Sequence, residues 1–380
     1  MAKPTHRTAD VAVIGAGAFG AWTALCLSEA GLRVTLVDKL GPGNDRASSG
    51  GESRNIRAAY AGNAFYTRWA REAWSHWRER ESEFGVRLLY PCGSLRAGDA
   101  RELADQARLF AEIGAPFERV AREEVTYRWP QIVPGDEDMF FEPESGVVAA
   151  ALTLQTVSRA FAARGGTILR GRARITGCGA NIGIEVNGGP VACGTAVLAC
   201  GPWLRSLLPD LLGPLIRTPR RDLVFIAPPP GDDRFGWEKC PNLVDALGWT
   251  SADIGNGVKI APPMKGIDMD PDAGERSPSP LALEGAAAFV RARLPGLVGG
   301  SVVSTYVSQL ENTASEDFII DRHPEAPHLL IAGGGSGHAF KFGPLLGEYV
   351  AKAVIDGSAG EHVDRFGLAA HRPLRPGEGG

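Results

Sequence analysis

Cysteine is scarce in this chain and never closely paired. The six cysteines, Cys26, Cys92, Cys178, Cys193, Cys200 and Cys240, are scattered with no CxxC. That speaks against a disulfide framework and against a zinc site, so no metal is expected. Charge of one sign is also lacking: 40 Lys and Arg face 44 Asp and Glu, a net charge of −4. Nothing general draws such a chain to nucleic acid or an anionic membrane. No stretch approaches the roughly 18 to 20 consecutive apolar residues that a membrane-spanning helix needs. The opening MAKPTHRTAD has no apolar core ahead of the first strand, so no secretory leader is expected. Internal repeats are missing too, and the 49 glycines and 27 prolines mark turns and element ends instead of low-complexity tracts. What these absences leave is a cytoplasmic globular protein, a monomer or small homo-oligomer. At 380 residues it exceeds what one hydrophobic core usually serves, and two domains are expected.

What is present begins with ADVAVIGAGAFGAWTALCLSEAGLRVTLVDK, residues 9 to 39. Residues 10–14 read as a short, valine-rich parallel strand. Gly15, Gly17 and Gly20 form GxGxxG, with Ala18 and Phe19 opening the helix that follows. The first glycine allows the turn, the second lets a pyrophosphate approach the backbone, and the third lets helix and strand pack closely. A helix over 18–30 stops at Gly31, a left-handed stop position. The next strand ends at Asp38, 23 residues after Gly15, where a carboxylate accepts hydrogen bonds from ribose hydroxyls. Together these predict a bound dinucleotide, without separating NAD from FAD.

Amphipathic helices are predicted at 63–83, 101–113, 153–164, 281–293 and 344–355, and strands at 166–170, 182–186, 196–200 and 328–332. Trp69, Trp74 and Trp77 recur at near-helical spacing and read as core. The strands 196–200 and 328–332 each run into a glycine turn, the place where ligands bind in open α/β sheets. Residues 222–227, 242–249, 257–262 and 302–310 have the short, punctuated texture of an antiparallel sheet. The nucleotide-binding domain is therefore expected over 1–85, 145–220 and 318–380, interrupted by a second domain made of 86–144 and 221–317. The class is α/β, with a ligand expected between the two parts.

One stretch needs its own explanation: GGESRNIRAAYAG, residues 50 to 62. If it is helical, Arg54 and Arg57 share a face beside Tyr60 and can point at one ligand. The bland alternative is a solvated, charged helix start.

Taken in order, the GxGxxG, GESRNIRAAYA, FFEPESGVV, VLACGPWL, ENTASEDFIIDRHP and GGGSGHAFKFGP resemble the monomeric sarcosine oxidase and N-methyl amino acid oxidase branch of the D-amino-acid-oxidase-like flavoproteins. The resemblance runs over almost the whole chain. It implies FAD and not NAD, in a glutathione-reductase-like Rossmann domain with a mostly antiparallel substrate domain over the flavin. It also implies roles. Arg54 lies under the flavin, Arg57 and Lys341 hold the substrate carboxylate with Tyr60 also contacting the substrate, and Lys259 in NGVKIAPP promotes reaction with O2. An ordinary exposed lysine is the alternative for Lys259. Flavin contacts are further implied for Gly15, Gly17, Ala18, Phe19, Gly20, Asp38, Lys39, Ser49, Gly50, Ser53, Arg54, Cys200, Gly201, Trp203, Gly335, Gly337, His338 and Lys341. For His338 a helix start using only its backbone stays open.

The chain departs from that family in two ways. The cysteine that tethers the flavin in many relatives lies ten residues before the FIID phenylalanine. Here that position is Ser308, and no cysteine follows Cys240, so FAD is expected to be non-covalent. The active-site histidine and tyrosine of the family fall on Pro263 and Leu310, giving a less polar pocket. The implied reaction is oxidation of the C–N bond of a secondary or N-alkylated amino acid. Hydride passes to flavin N5, the imine hydrolyses, and O2 is reduced to H2O2. Alternatives are a dehydrogenase with a quinone or protein acceptor, an FAD subunit of a larger complex, and an NAD(P) dehydrogenase.

Overall fold

A computed structural model describes residues 7–60, 62–178, 182–264, 266–375 and 377–378. The segment on which the missing leader is read includes residues 1–6, which lie outside the described residues. No helix among the described residues is long and apolar enough to cross a membrane.

The first sheet grows from the fingerprint. Strand Arg7–Ile14 pairs in parallel with Val34–Asp38 on one edge and with Gly189–Leu198 on the other. Val34–Asp38 pairs onward with Thr167–Arg170, and the C-terminal half of Gly189–Leu198 pairs with Ala326–Gly333. All five run in the same direction, so their C-terminal ends form one edge. An antiparallel flap, Ala173–Cys178 and Ile182–Val186, and the strand Ile319–His323 complete the sheet.

Helix Ala18–Glu29 is apolar all round, with every residue from Ala18 to Leu27 buried, as a helix packed on several sides must be. It lies against Ala150–Ala163 and Gly343–Ile355. The second contact is close because of glycine: a Cβ on Gly347 would stand 2.6 Å from that of Trp22. Trp22 meets Trp77 edge-on at 5.5 Å, and Trp69, Trp74 and Trp77 join this core as expected.

The second sheet has eight strands, drawn from residues 94–142 and 220–309. Ser94–Ala97, Met139–Glu142 and Glu118–Val120 join Arg220–Ile226, Asn242–Asp245, Gly248–Ser251, Val258–Ala261 and Val302–Gln309. It is antiparallel but for one parallel pair, Asn242–Asp245 with Ser94–Ala97. Residues 242–249, expected as part of an antiparallel sheet, fold as a tight hairpin that pairs Asp245 with Gly248. The Asp245 carboxylate accepts from the Leu247 N–H at 2.8 Å, and Gly248 takes φ +132 where a Cβ would lie 2.4 Å from the Ala261 oxygen.

The helical reading of Arg54 and Arg57 is overturned. Ser53–Ile56 is a strand, antiparallel to Gly146–Ala149, with Arg54 opposite Val148. Four residues are too few to show a helical period, and a valine-rich partner strand satisfies their backbone. Neighbouring strand residues point to opposite faces, so the two arginines reach the same cavity by different routes. Arg54 leaves from within the strand and Arg57 from the turn after it.

Candidate active site

A cavity of about 790 Å3 runs along the C-terminal edge of the parallel strands. Its walls at that edge are backbone. Gly15 turns at φ +104, where a Cβ would meet the Ala199 oxygen at 2.2 Å, while at Gly17 a Cβ would meet only Ser49 Oγ, at 3.0 Å. The first N–H groups of helix Ala18–Glu29 have no partners within the helix, and such a helix start is a ready anion site. Asp38 secures this turn: Oδ2 accepts from the Ala16 N–H at 2.8 Å, and Oδ1 from the N–H groups of Leu40 and Gly41 at 2.8 and 2.7 Å. Of the cofactor residues expected from sequence, Gly15, Gly17, Ala18, Phe19, Asp38, Lys39, Ser49, Arg54, Cys200, Gly201, Trp203, Gly335, Gly337, His338 and Lys341 line the cavity. Gly20, Gly50 and Ser53 are not among the lining residues. Gly20 instead lets the helix seat on the turn, for a Cβ there would fall 1.8 Å from the Gly15 oxygen. Backbone that close, open at Gly17 and edged by helix N–H groups, fits a dinucleotide.

Another part of the wall is made of side chains. Arg57, Lys341, Pro263, Leu310 and Ser308 line it, joined by Asn55, Val244, Ala246, Trp249 and Pro262. The ring of Tyr60 lies beside both cations, with Arg57 Cζ 5.5 Å and Lys341 Nζ 4.5 Å from its centre. Arg57 donates to the Ala59 carbonyl, and its other guanidinium N–H groups have no acceptor among the described residues. Lys341 donates to Tyr60 Oη at 3.0 Å. Burial pulls the pKa of Lys341 well below the lysine range, and Arg57 adds to the effect. Burial likewise lowers that of Arg57.

Arg54 donates to the carbonyls of Ser53, Ser48 and Gly50 at 2.6 to 2.7 Å, which fixes the loop between fingerprint and strand. Lys259 is fully buried and not among the lining residues. It donates to Ser53 O at 2.7 Å and Ser53 Oγ at 2.9 Å, with the Trp249 ring 5.2 Å away. Desolvation, then Arg54, lowers its pKa well below the usual value. His338 uses both backbone and ring: its N–H donates to Gly335 O, Nδ1 meets Tyr60 Oη at 3.0 Å, and Nε2 meets Glu316 O at 2.9 Å.

Two carboxylates escaped the reading of the sequence. Glu142, in FFEPESG, is buried and accepts from the N–H groups of Ala58 and Ala59 at 2.6 and 3.1 Å, so it anchors the turn that carries Arg57. Glu311 lines the cavity with one buried oxygen, Oε2, lacking a partner, and desolvation pushes its pKa up to about 7.

The family model for FAD-dependent oxidoreductases of the DAO type matches residues 10–353. The chain belongs to this family. It is 27% identical over 380 residues to a protein named monomeric sarcosine oxidase from Bacillus sp. (strain B-0618), covering 94% of this chain and 95% of that one. It is also 27% identical over 385 residues to one named N-methyl-L-tryptophan oxidase from Yersinia pestis (strain Pestoides F), covering 96% and 99%. The glycine oxidase structure from Geobacillus kaustophilus superposes with a TM-score of 0.78 at 18% identity, covering 97% of this chain and 99% of that one. This DAO-family protein is thus an FAD-dependent oxidoreductase, and the cradle along the strand ends fits that group.

Proposed function

We propose that this enzyme oxidises the C–N bond of a secondary or N-alkylated amino acid and passes the electrons to O2, releasing H2O2. The observation that carries the reading is the meeting of Arg57 and Lys341, from opposite ends of the chain, on one cavity wall around Tyr60. Two desolvated cations with unfilled donor capacity favour an arriving anion, and a carboxylate suits a guanidinium fork with an ammonium beside it. That same positive field disfavours a protonated substrate amine. The substrate therefore reacts with neutral nitrogen, and no protein base is needed.

Bound FAD supplies the hydride acceptor and the route to O2. Protein groups supply position. Arg57 and Lys341 fix the carboxylate, while Trp249, Pro263 and Leu310 form an apolar wall that excludes water and suits an apolar side chain or N-substituent. Lys259, buried behind Ser53, is the fixed positive charge that stabilises negative charge developing on O2. Ser308, at 3% exposure, offers no thiol, so FAD is held non-covalently. Residues 1–85, 145–220 and 318–380 form the FAD domain, with 86–144 and 221–317 as its cover, in a cytoplasmic enzyme acting as a monomer or small homo-oligomer.

The test is oxygen uptake with a panel of N-methyl amino acids. Oxygen consumption matched by H2O2 supports an oxidase. Flavin that is reduced by these substrates but not reoxidised by air points to the dehydrogenase alternative.

A further inference from the structure

We propose that Tyr60 and His338 are positioning residues for Lys341. They form a one-way chain of hydrogen bonds that holds the ammonium at the cavity wall with its other N–H groups turned to an anionic ligand. This rests on the reading of Lys341 as a carboxylate anchor.

The direction of the chain follows from its far end. Nε2 of His338 lies 2.9 Å from the carbonyl oxygen of Glu316, and a carbonyl only accepts, so Nε2 carries the proton. In the neutral ring Nδ1 is then an acceptor, and the Tyr60 hydroxyl 3.0 Å away must donate to it. With its single hydrogen so engaged, Tyr60 Oη accepts from Lys341 Nζ at 3.0 Å. Each link leaves the next with one choice. Burial first, and then the charge of Lys341, holds the His338 pKa down to about 3, so the ring is neutral across the working range.

The surroundings fix every member. The His338 ring packs edge-on to Tyr66 at 4.8 Å and against Phe318 at 4.9 Å. Glu316, which supplies the terminal carbonyl, sits at φ +61, one of three non-glycine residues with positive φ among those described. A left-handed non-glycine residue is strained, and this turn places the carbonyl within hydrogen-bond reach of the imidazole. Another of the three is Ser336, two residues before His338. Tyr60 is not among the lining residues while Lys341 is. Tyr60 therefore acts through the lysine and not on the ligand.

The experiment measures acetate binding to the FAD-loaded enzyme by the flavin's visible spectrum, with acetamide as the uncharged control. The proteins are wild type, Tyr60→Phe, Lys341→Met and the double variant. Tyr60→Phe keeps the ring and removes one hydrogen bond, so acetate should bind about threefold to tenfold more weakly. In the Lys341→Met background the same change should do nothing further, because the two residues act as a unit. Across a range of N-methyl amino acid concentrations, the Tyr60→Phe loss should fall more on KM than on the limiting rate of flavin reduction. His338→Asn, which retains an acceptor close to Nδ1, should lose less than His338→Ala. Acetate binding indifferent to Lys341→Met removes the carboxylate reading itself. Binding that needs Lys341 but not Tyr60, or that falls equally in both backgrounds, overturns the chain alone.

Discussion

The backbone wall at the strand ends and the side-chain wall around Tyr60 serve one cavity but are specified in different ways. At Gly15, Gly17 and Gly20 the requirement is the lack of a side chain, and each glycine answers a named close approach. Around Tyr60 the requirement is charge: Arg57 comes from a turn pinned by Glu142, and Lys341 from the segment before the last long helix. The glycines of the first wall lie close together in sequence, and the wall is tolerant of what binds there, since many dinucleotides share a pyrophosphate. The second is assembled from distant parts and, in the function proposed above, decides which substrate enters.

The comparison breaks most sharply at the glycines. Gly15→Ala places a Cβ 2.2 Å from the Ala199 oxygen at φ +104, with both clash and strain, and should cost upward of about 3 kcal/mol. Purified protein should be scarce and nearly free of FAD. Gly17→Ala meets only Ser49 Oγ, so it should fold with an unchanged far-ultraviolet spectrum yet hold FAD at least about tenfold more weakly. Equal FAD content in both variants would erase the distinction between a glycine needed for the fold and one needed for the ligand.

Next come the cations. Each charge-assisted hydrogen bond is worth roughly 1.5–3 kcal/mol. Arg57→Ala or Lys341→Ala should therefore weaken binding of a small carboxylate by about tenfold to a few hundredfold. The double variant should lose less than the product of the two. Arg57→Lys should also be costly, since a point charge cannot reproduce the fork. FAD content should fall little in the Arg57 variants, in contrast with the glycine variants.

Lys259→Met should leave reduction by substrate largely unchanged and slow reoxidation by O2 at least about tenfold, the effect of losing about 1.4 kcal/mol. Stopped-flow reoxidation in air-saturated buffer decides the matter, and an unchanged rate would deny the buried lysine an oxidase role.

The smallest effect concerns Glu311. Its carboxyl holds a proton up to about pH 7 in the fold, against 4.5 for the ordinary value. Between those values the native state binds more protons than the unfolded chain, so stability falls as pH rises. In cofactor-stripped Glu311→Gln this slope should flatten, shifting the thermal midpoint at pH 7.5 up by a few degrees relative to wild type. An identical pH profile in both proteins would contradict the placement of this carboxyl.

These contrasts also explain what the sequence disclosed. GxGxxG, the helix behind it and Asp38 were legible because their spacing is local and each position has a steric reason. The helices at 63–83 and 344–355 carried enough turns to show their period. Four residues at Ser53–Ile56 carried too few, and the stretch expected as a helix is a strand holding Arg54 with Arg57 in the turn after it. Arg57 and Lys341, 284 residues apart, were linked only through resemblance to a family. Nothing in the spacing of Glu142 or Glu311 separates them from surface carboxylates, since their distinction lies in burial alone.

The central claim is that the side-chain wall recognises a carboxylate while the reaction occurs at the neighbouring C–N bond. It is tested most directly by anaerobic flavin bleaching with matched pairs: an N-methyl amino acid and the N-methylamine lacking only its carboxylate. The account predicts that the acid bleaches the flavin absorbance and that the amine does so far more slowly, a gap that narrows in Arg57→Ala. An amine that bleaches the flavin as fast as its parent acid would contradict it.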